Sequence, residues 1–364
     1  MDAAPDAMSK VQSISGAAPV TGAVGAAYRH HARTRLIVGL AATAAVALSL
    51  LVDIATGPAL LPLAAVARSA LGLAADRTVD AIIWSIRLPA ALMALAVGAS
   101  LGLTGAMMQT ILNNPLASSY TLGISAGAGF GAALVIVIGP LLPISEATAI
   151  PLSAFFFAGL ASACVYAIGS LRGATPEILI LAGIALLFLL QALLALLQFI
   201  ASPEALQQIV FWLFGSLQKA SWSKLYLLLL TILLCLPMIT ADVWRLTALK
   251  LGDERAVGLG VNVRALRLRA FVVISALTGI AVAFVGTIGF IGLVAPHMAR
   301  MLVGEDQRGL LPLSALFGAL VLSLASIASK TLVPGALIPI GIVTALIGVP
   351  FLVWLIIGSR RSFW

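Results

Sequence analysis

Ten runs of mostly apolar residues, all but one near the length of about 20 that a helix needs to cross a bilayer, divide the chain and leave few alternatives for its fold. They lie near 36–56, 88–111, 121–140, 149–171, 177–200, 224–241, 270–286, 288–301, 309–329 and 339–358. Inside hydrocarbon every backbone N–H and C=O must find a partner within the protein, so such runs fold as helices. The expected fold class is therefore all-α, a polytopic membrane protein with about ten transmembrane helices. The run at 288–301 is too short to cross straight and is expected to be re-entrant or shielded by protein. Residues 1–35, rich in Ala, Gly, Ser and Val, form an expected disordered cytoplasmic tail ahead of a transmembrane domain at 36–364, with the first span an uncleaved anchor.

Charge is scarce and its placement is informative. Only 9% of residues are charged, whereas 62% are hydrophobic and the mean hydropathy is +1.14, well outside the soluble range. The net charge of +8 is no sign of nucleic-acid binding here, because basic residues in a membrane chain set orientation and meet anionic lipid. With the amino terminus inside, the outer face keeps only Arg68, Arg77, Arg87, Lys219, Lys224 and Lys330, and an even number of spans returns the carboxyl terminus to the cytoplasm. The longest charged interval, Asp242 to Arg269, holds Asp242, Arg245, Lys250, Asp253, Glu254, Arg255, Arg264, Arg267 and Arg269. At roughly 2.5 to 3.5 kcal/mol for each Asp, Lys or Arg at a bilayer centre, threading it through lipid would cost more than ~20 kcal/mol. It is expected to lie in water at the membrane face, as a docking surface for a soluble partner.

The same scarcity narrows the chemistry. The acids fall in tails, loops or span ends, whereas proton or sodium coupling usually needs a carboxylate or unwound carbonyls near the midplane. No G-x-x-x-x-G-K-[ST] phosphate loop occurs, so nucleotide hydrolysis by this chain is not expected. His30 and His31 lie in the tail and His297 has no acid at metal or protease spacing, so neither a metal site nor an enzyme is expected. Cys164 and Cys235 fall inside spans without ligand spacing. A passive pathway or a pump subunit driven by another chain remains, and the charged interval favours the pump.

Small residues recur at helical spacing, Gly98, Gly102 and Gly105, then Gly123, Gly127 and Gly131, which lets backbones approach closely where lipid gives no hydrophobic drive. Between these runs Asn113-Asn114-Pro115 interrupts the helix, since Pro disfavours helical geometry before it. After the fifth span, Ser202-Pro203-Glu204 reads as a capped helix start, and the aromatics that follow suit the interface.

Three stretches carry a family likeness. R-L-P-A-A-L-M-A-L-A-V-G-A-S-L-G-L-T-G-A-M-M-Q-T-I-L-N-N-P-L-A-S-S-Y-T-L-G-I-S-A-G-A (87–128), G-T-I-G-F-I-G-L-V-A-P-H-M-A-R-M-L-V-G-E-D-Q-R (286–308) and P-I-G-I-V-T-A-L-I-G-V-P-F-L-V-W-L (339–355) resemble, in order, the signatures of the iron-chelate and cobalamin permeases of type II ABC importers. The resemblance implies a ten-span subunit of a homodimer in the bacterial inner membrane. Its partners would be two cytoplasmic ABC ATPase subunits, which hold ATP and Mg, and a periplasmic or lipid-anchored substrate-binding protein. This chain would bind no cofactor and perform no covalent chemistry, and the cargo would be a ferric siderophore, haem or cobalamin. A stand-alone ion-coupled carrier or channel is the alternative of another class.

Carried over by residue, the likeness places the ATPase-coupling segment at Leu249, Lys250, Leu251, Gly252, Asp253, Glu254, Arg255, Ala256, Val257, Gly258, Leu259, Gly260 and Val261. Its glycines are expected to break it into two short helices with Asp253, Glu254 and Arg255 exposed. Arg87 and Lys330 correspond to outer cations that meet the binding protein, although the usual companion of Arg87 is Ala90 here. Gly98, Gly102, Gly105, Gln109, Asn113, Asn114, Pro115, Gly123, Ser125, Gly127, Gly289, Gly292, Pro296 and His297 fall to the translocation path or its packing. Two family acids are replaced, by Ser326 and by Leu337 of Leu337-Ile338-Pro339, so an outer salt bridge there is expected to be missing.

Overall fold

The computed structural model describes residues 20–57, 63–70, 72, 76–139, 143–333 and 335–358, and among them it is built of helices without strands. In chain order these are α1 (Val20–Ala55), α2 (Leu63–Ala70), α3 (Arg77–Ile82), a π-helical turn (Ile83–Arg87) leading into α4 (Leu88–Ile111), α5 (Ile124–Ile138), α6 (Glu146–Ser170), α7 (Pro176–Ile200), α8 (Pro203–Leu213), α9 (Trp222–Leu249), α10 (Asp253–Gly258), α11 (Val263–Val285), α12 (Ile291–Val303), α13 (Gln307–Thr331) and α14 (Ile340–Gly358). Seven stretches are long and apolar enough to cross a membrane, Arg33–Ala55, Arg77–Ile111, α6, α7, α9, α11 and α13. Three shorter apolar helices, α5, α12 and the body of α14, bring the set to the ten expected runs.

Boundaries differ where local chemistry decides them. The first helix begins at Val20, inside the segment expected to be a tail, while residues 1–19 lie outside the described residues. Helix α9 runs on to Leu249 rather than stopping near 241, because Asp242 and Arg245 are paired instead of hydrated. Helix α12 starts only at Ile291, after Gly286 and Phe290 both take positive φ, of 78° and 68°.

Helix α4 is the axis of the bundle. Most of its length is buried, and its glycine ridge sets how closely its neighbours come. A Cβ at Gly98 or Gly102 would collide with the backbone carbonyls of Gly318 or Ser314 on α13, and one at Gly105 with that of Gly292 on α12. Helix α5 is seated on α6 in the same way, with Gly127 against the Phe157 carbonyl at 2.6 Å for an added Cβ and Gly131 against that of Ser153 at 2.5 Å. Such backbone-to-backbone packing is what drives association in lipid. Around this core α7, α9 and α14 turn apolar side chains outward, among them Phe188, Phe199, Leu233, Leu234, Leu346 and Trp354, as lipid-facing helices do.

Candidate functional site

Functional side chains gather at the two rims of the bundle. At the rim assigned to the cytoplasm, Gly252 (φ 99°) ends the descent from α9 and Gly260 (φ 81°) starts the return, two turns that a residue with a Cβ adopts only under strain. Between them lies one helix, α10, where two short helices were expected; Gly258 is its last residue, and no second helix follows before α11. Asn262 caps α11 by accepting from the Ala265 N–H at 3.0 Å. Ala256 and Val261 are buried and seat α10 on the bundle, whereas Leu251, Glu254, Arg255, Val257 and Leu259 are exposed.

Two expectations are corrected here. Asp253 was expected to be exposed, but it is half-buried and takes a bidentate pair from Arg267 at 2.8 and 2.9 Å. The interval Asp242 to Arg269 was expected to lie wholly in water, but Asp242 is only 4% exposed and accepts from Arg245 at 2.7 Å and Arg269 at 2.7 and 2.8 Å. As isolated charges these groups would each need water. Paired at helix ends, these charges neutralise one another and need far less water. Water-facing chain is thus confined to about Lys250–Asn262 and the exposed side chains beside it.

A second cluster ties the turn after α4 to this rim. Lys250 Nζ donates to Asn113 Oδ1 at 3.1 Å and stands 3.6 Å from Glu305, which lies 2.9 Å from Arg300. Arg300 Nη2 donates to Gln109 Oε1 at 2.8 Å, and Gln109 Nε2 donates to the Gly292 carbonyl at 3.4 Å. Asn114 accepts from the Leu116 N–H and closes the turn that Pro115 enters. Gln109, Asn113 and Lys250 therefore belong to one network, and Arg300 and Glu305, which the sequence did not single out, complete it. Their separation of nearly two hundred positions from Gln109 hides that from any local pattern.

The remaining path residues are distributed differently. Gly98, Gly102, Gly105 and Gly127 face helix backbones within this chain, Gly292 backs onto Gly105, and only Gly289 among these glycines has open space around it. Gly123 takes φ 79° ahead of α5 and Ser125 is buried on that helix's first turn. Pro296 is inside α12, and the His297 ring meets the edge of Phe351 at 6.2 Å.

At the outer rim the two expected docking cations are engaged within the chain. Arg87 is buried and its Nη1 donates to the Ile54 and Ala55 carbonyls, 3.1 and 2.9 Å away, at the C-terminus of α1. There it satisfies orphan carbonyls and meets the negative end of the helix dipole. Lys330 Nζ donates to Asp53 Oδ1 at 2.6 Å, and Ser326 Oγ donates to the same oxygen at 2.9 Å. A different salt bridge stands at this rim, from α13 to α1, with Asp53 as its acid and Ser326 as a donor where the family acid would stand. Asp53 sits within the last turn of the first apolar run, where its partner could not be read.

These groups edge a cavity of about 630 Å³ that opens between α8, the ends of α11 and α13 and the start of α14. Its lining combines Arg87, Lys330 and Lys219 with Gln208, Gln218, Phe211, Trp212 and Phe284. Lys219 is the exposed cation of that set. Backbone clamps fix the wall: the Ser216 N–H donates to the Val285 carbonyl at 2.7 Å and the Gly341 N–H to the Phe214 carbonyl at 2.9 Å.

Residues 44–358 match the model of the FecCD transport family. The chain is 40% identical over 282 residues to the hemin transport system permease protein HmuU of Yersinia pestis, covering 77% of this chain and 84% of that protein. It is 38% identical over 298 residues to the Fe(3+)-citrate import system permease protein YfmE of Bacillus subtilis strain 168, covering 82% and 88%. A solved metal-chelate type ABC transporter in an inward-facing conformation superposes with a TM-score of 0.78 at 34% identity, covering 88% of this chain and 98% of that one.

Proposed function

The chain belongs to the FecCD transport family, and from that membership we propose that it is the membrane-spanning permease of an ATP-driven importer that carries an iron chelate, a ferric siderophore or haem. The hemin and Fe(3+)-citrate named for two relatives support this cargo class, and the molybdate named for another relative, 37% identical over 295 residues, makes an oxyanion the second reading. The observation that carries the motor-driven reading is α10, a short helix held out between two left-handed glycines with Leu251, Val257 and Leu259 bare around Glu254 and Arg255. An apolar patch set among charges, at the rim where the basic residues place the cytoplasm, fits a protein partner better than lipid.

In this reading two copies of the chain enclose the path, and two cytoplasmic ATPases hold ATP and Mg and act on Leu249 to Val261. A periplasmic or lipid-anchored protein delivers the cargo to the outer cavity, in a bacterial inner membrane with both termini inside. Since Arg87 and Lys330 are engaged at the end of α1, the exposed Lys219 is the cation of the cavity lining that an acidic docking partner meets first. Reconstituted without an ATPase, the chain should move no ferric chelate, whereas a stand-alone carrier would. In a pull-down, Glu254→Arg with Arg255→Glu should lose the ATPase while the permease stays folded; undiminished capture would reject this reading.

A further inference from the structure

Arg267 is 2% exposed on the first turns of α11, and its guanidinium reaches three other elements at once. Nε donates to the carbonyl of Ile111, the last residue of α4, at 3.1 Å, and Nη1 donates to the carbonyl of Ala174 in the α6–α7 turn at 3.1 Å. Nη1 and Nη2 together grip the Asp253 carboxylate that opens α10. We propose that Arg267 is the positioning residue that transmits movement of α10 to the rest of the permease, an inference resting on the reading of α10 as the ATPase's grip.

Helix α10 hangs between Gly252 and Gly260, so its backbone links to α9 and α11 are the compliant ones. Ala256 and Val261 resist compression by packing, but apolar contact slides easily; a planar two-point pair to a carboxylate resists sliding in either direction. Arg267 then fixes that pair to a carbonyl α4 cannot satisfy internally, being at its C-terminus. A lysine could not do the same, as it has no planar fork of five donors.

From Ile111 the displacement has little to soften it. Helix α4 spans 24 residues, or about 36 Å at 1.5 Å per residue, and its glycine ridge touches the backbones of α12 and α13 with no side chain between. Its outer end is joined directly to Arg87, the last residue of the π-helical turn, which holds the last carbonyls of α1 beside the cavity. One line of contacts thus runs from the motor face to the outer cavity, through Asp253, Arg267, α4 and Arg87.

The test uses the complete transporter with its ATPase, in proteoliposomes, carrying Ser216→Cys in the cavity wall. The readout is the change in labelling rate by an impermeant maleimide when ATP is added, beside ATPase capture and ATP hydrolysis. Arg267→Lys and Asp253→Asn should both retain the ATPase and its hydrolysis, yet lose the ATP-dependent change by about fivefold or more. Glu177→Gln, an exposed carboxylate in the first turn of α7 outside both the pair and the docking face, should keep it. A merely structural role would lower capture and hydrolysis together instead of separating them from the response. If Arg267→Lys does not accumulate, Asp253→Asn decides, since it leaves both carbonyl bonds in place. A full ATP response in Arg267→Lys or Asp253→Asn overturns the proposal alone. Should the Glu254→Arg, Arg255→Glu chain still capture the ATPase, the docking reading fails and this inference with it.

Discussion

Lys330 Nζ lies 2.6 Å from Asp53 Oδ1 and joins the end of α13 to the end of α1 across the outer rim. Asp53 is fully buried and Lys330 nearly so, which decides how the pair contributes. Much of the Coulomb gain is offset by desolvation, so the pair adds little net stability, yet losing one member strands a charge. Lys330→Met should therefore destabilise the fold by about 3 to 5 kcal/mol, while Asp53→Leu with Lys330→Met should recover nearly all of it. Thermal unfolding of the three chains in detergent checks this, and a double variant as unstable as the single one would contradict it.

The glycine ridge makes a graded prediction. At Gly102 an added methyl would collide with the Ser314 carbonyl, and a backbone cannot turn aside as a side chain can. Gly102→Ala should cost about 1 to 3 kcal/mol by pushing α4 and α13 apart. Gly289 has nothing within 4 Å, so Gly289→Ala should stay within about 0.5 kcal/mol of the parent. Melting temperatures of the two variants, purified side by side, distinguish a packed seam from a loose one.

How much of this could be read beforehand depended on whether the partner was local. The ten spans follow from apolar length, and the α8 start from Ser202, whose hydroxyl accepts from the Ala205 N–H. The break after Ile111 follows from the Asn113-Asn114-Pro115 turn. What stayed hidden were pairs made across the fold: Asp53 with Lys330, Asp242 with Arg269, Asp253 with Arg267. A lone charge near a span end carries the same signal whether it is hydrated or buried with a counter-ion. Only the packing of distant helices tells these apart, and for that reason the extent of the watery interval was overestimated.

Asp306 gives the pH dependence. Burial alone would raise its carboxyl, but the Arg308 N–H and the Arg35 guanidinium at 2.9 Å outweigh that and hold it below the usual carboxylate value. A lowered folded-state value means that its contribution is present above the ordinary pKa and disappears as the pH falls through the lowered one. The α13 cap and the α1–α13 link should therefore weaken on acidification. Asp306→Asn keeps a capping oxygen but loses the charge. The stability gap between parent and Asp306→Asn should be widest near about pH 7 and close toward about pH 3. A gap that held constant across parallel detergent melts would show that the charge plays no part.

The last prediction separates the seat of α10 from its face. Ala256 is fully buried against the bundle, so Ala256→Glu would force a carboxylate into an apolar contact and should lower membrane accumulation of the chain itself. Val257, its immediate neighbour, is 59% exposed, so Val257→Glu leaves the packing untouched and should melt like the parent. If a soluble ATPase covers that face, however, the new charge is desolvated at the centre of the contact. Hot-spot losses of about 2 kcal/mol or more would then weaken capture about thirtyfold. Titrating the purified ATPase onto each chain in nanodiscs gives the two affinities. Parent-like capture by Val257→Glu would mean that the partner's contact lies elsewhere on this rim; lost capture with an unchanged melt would place it on α10.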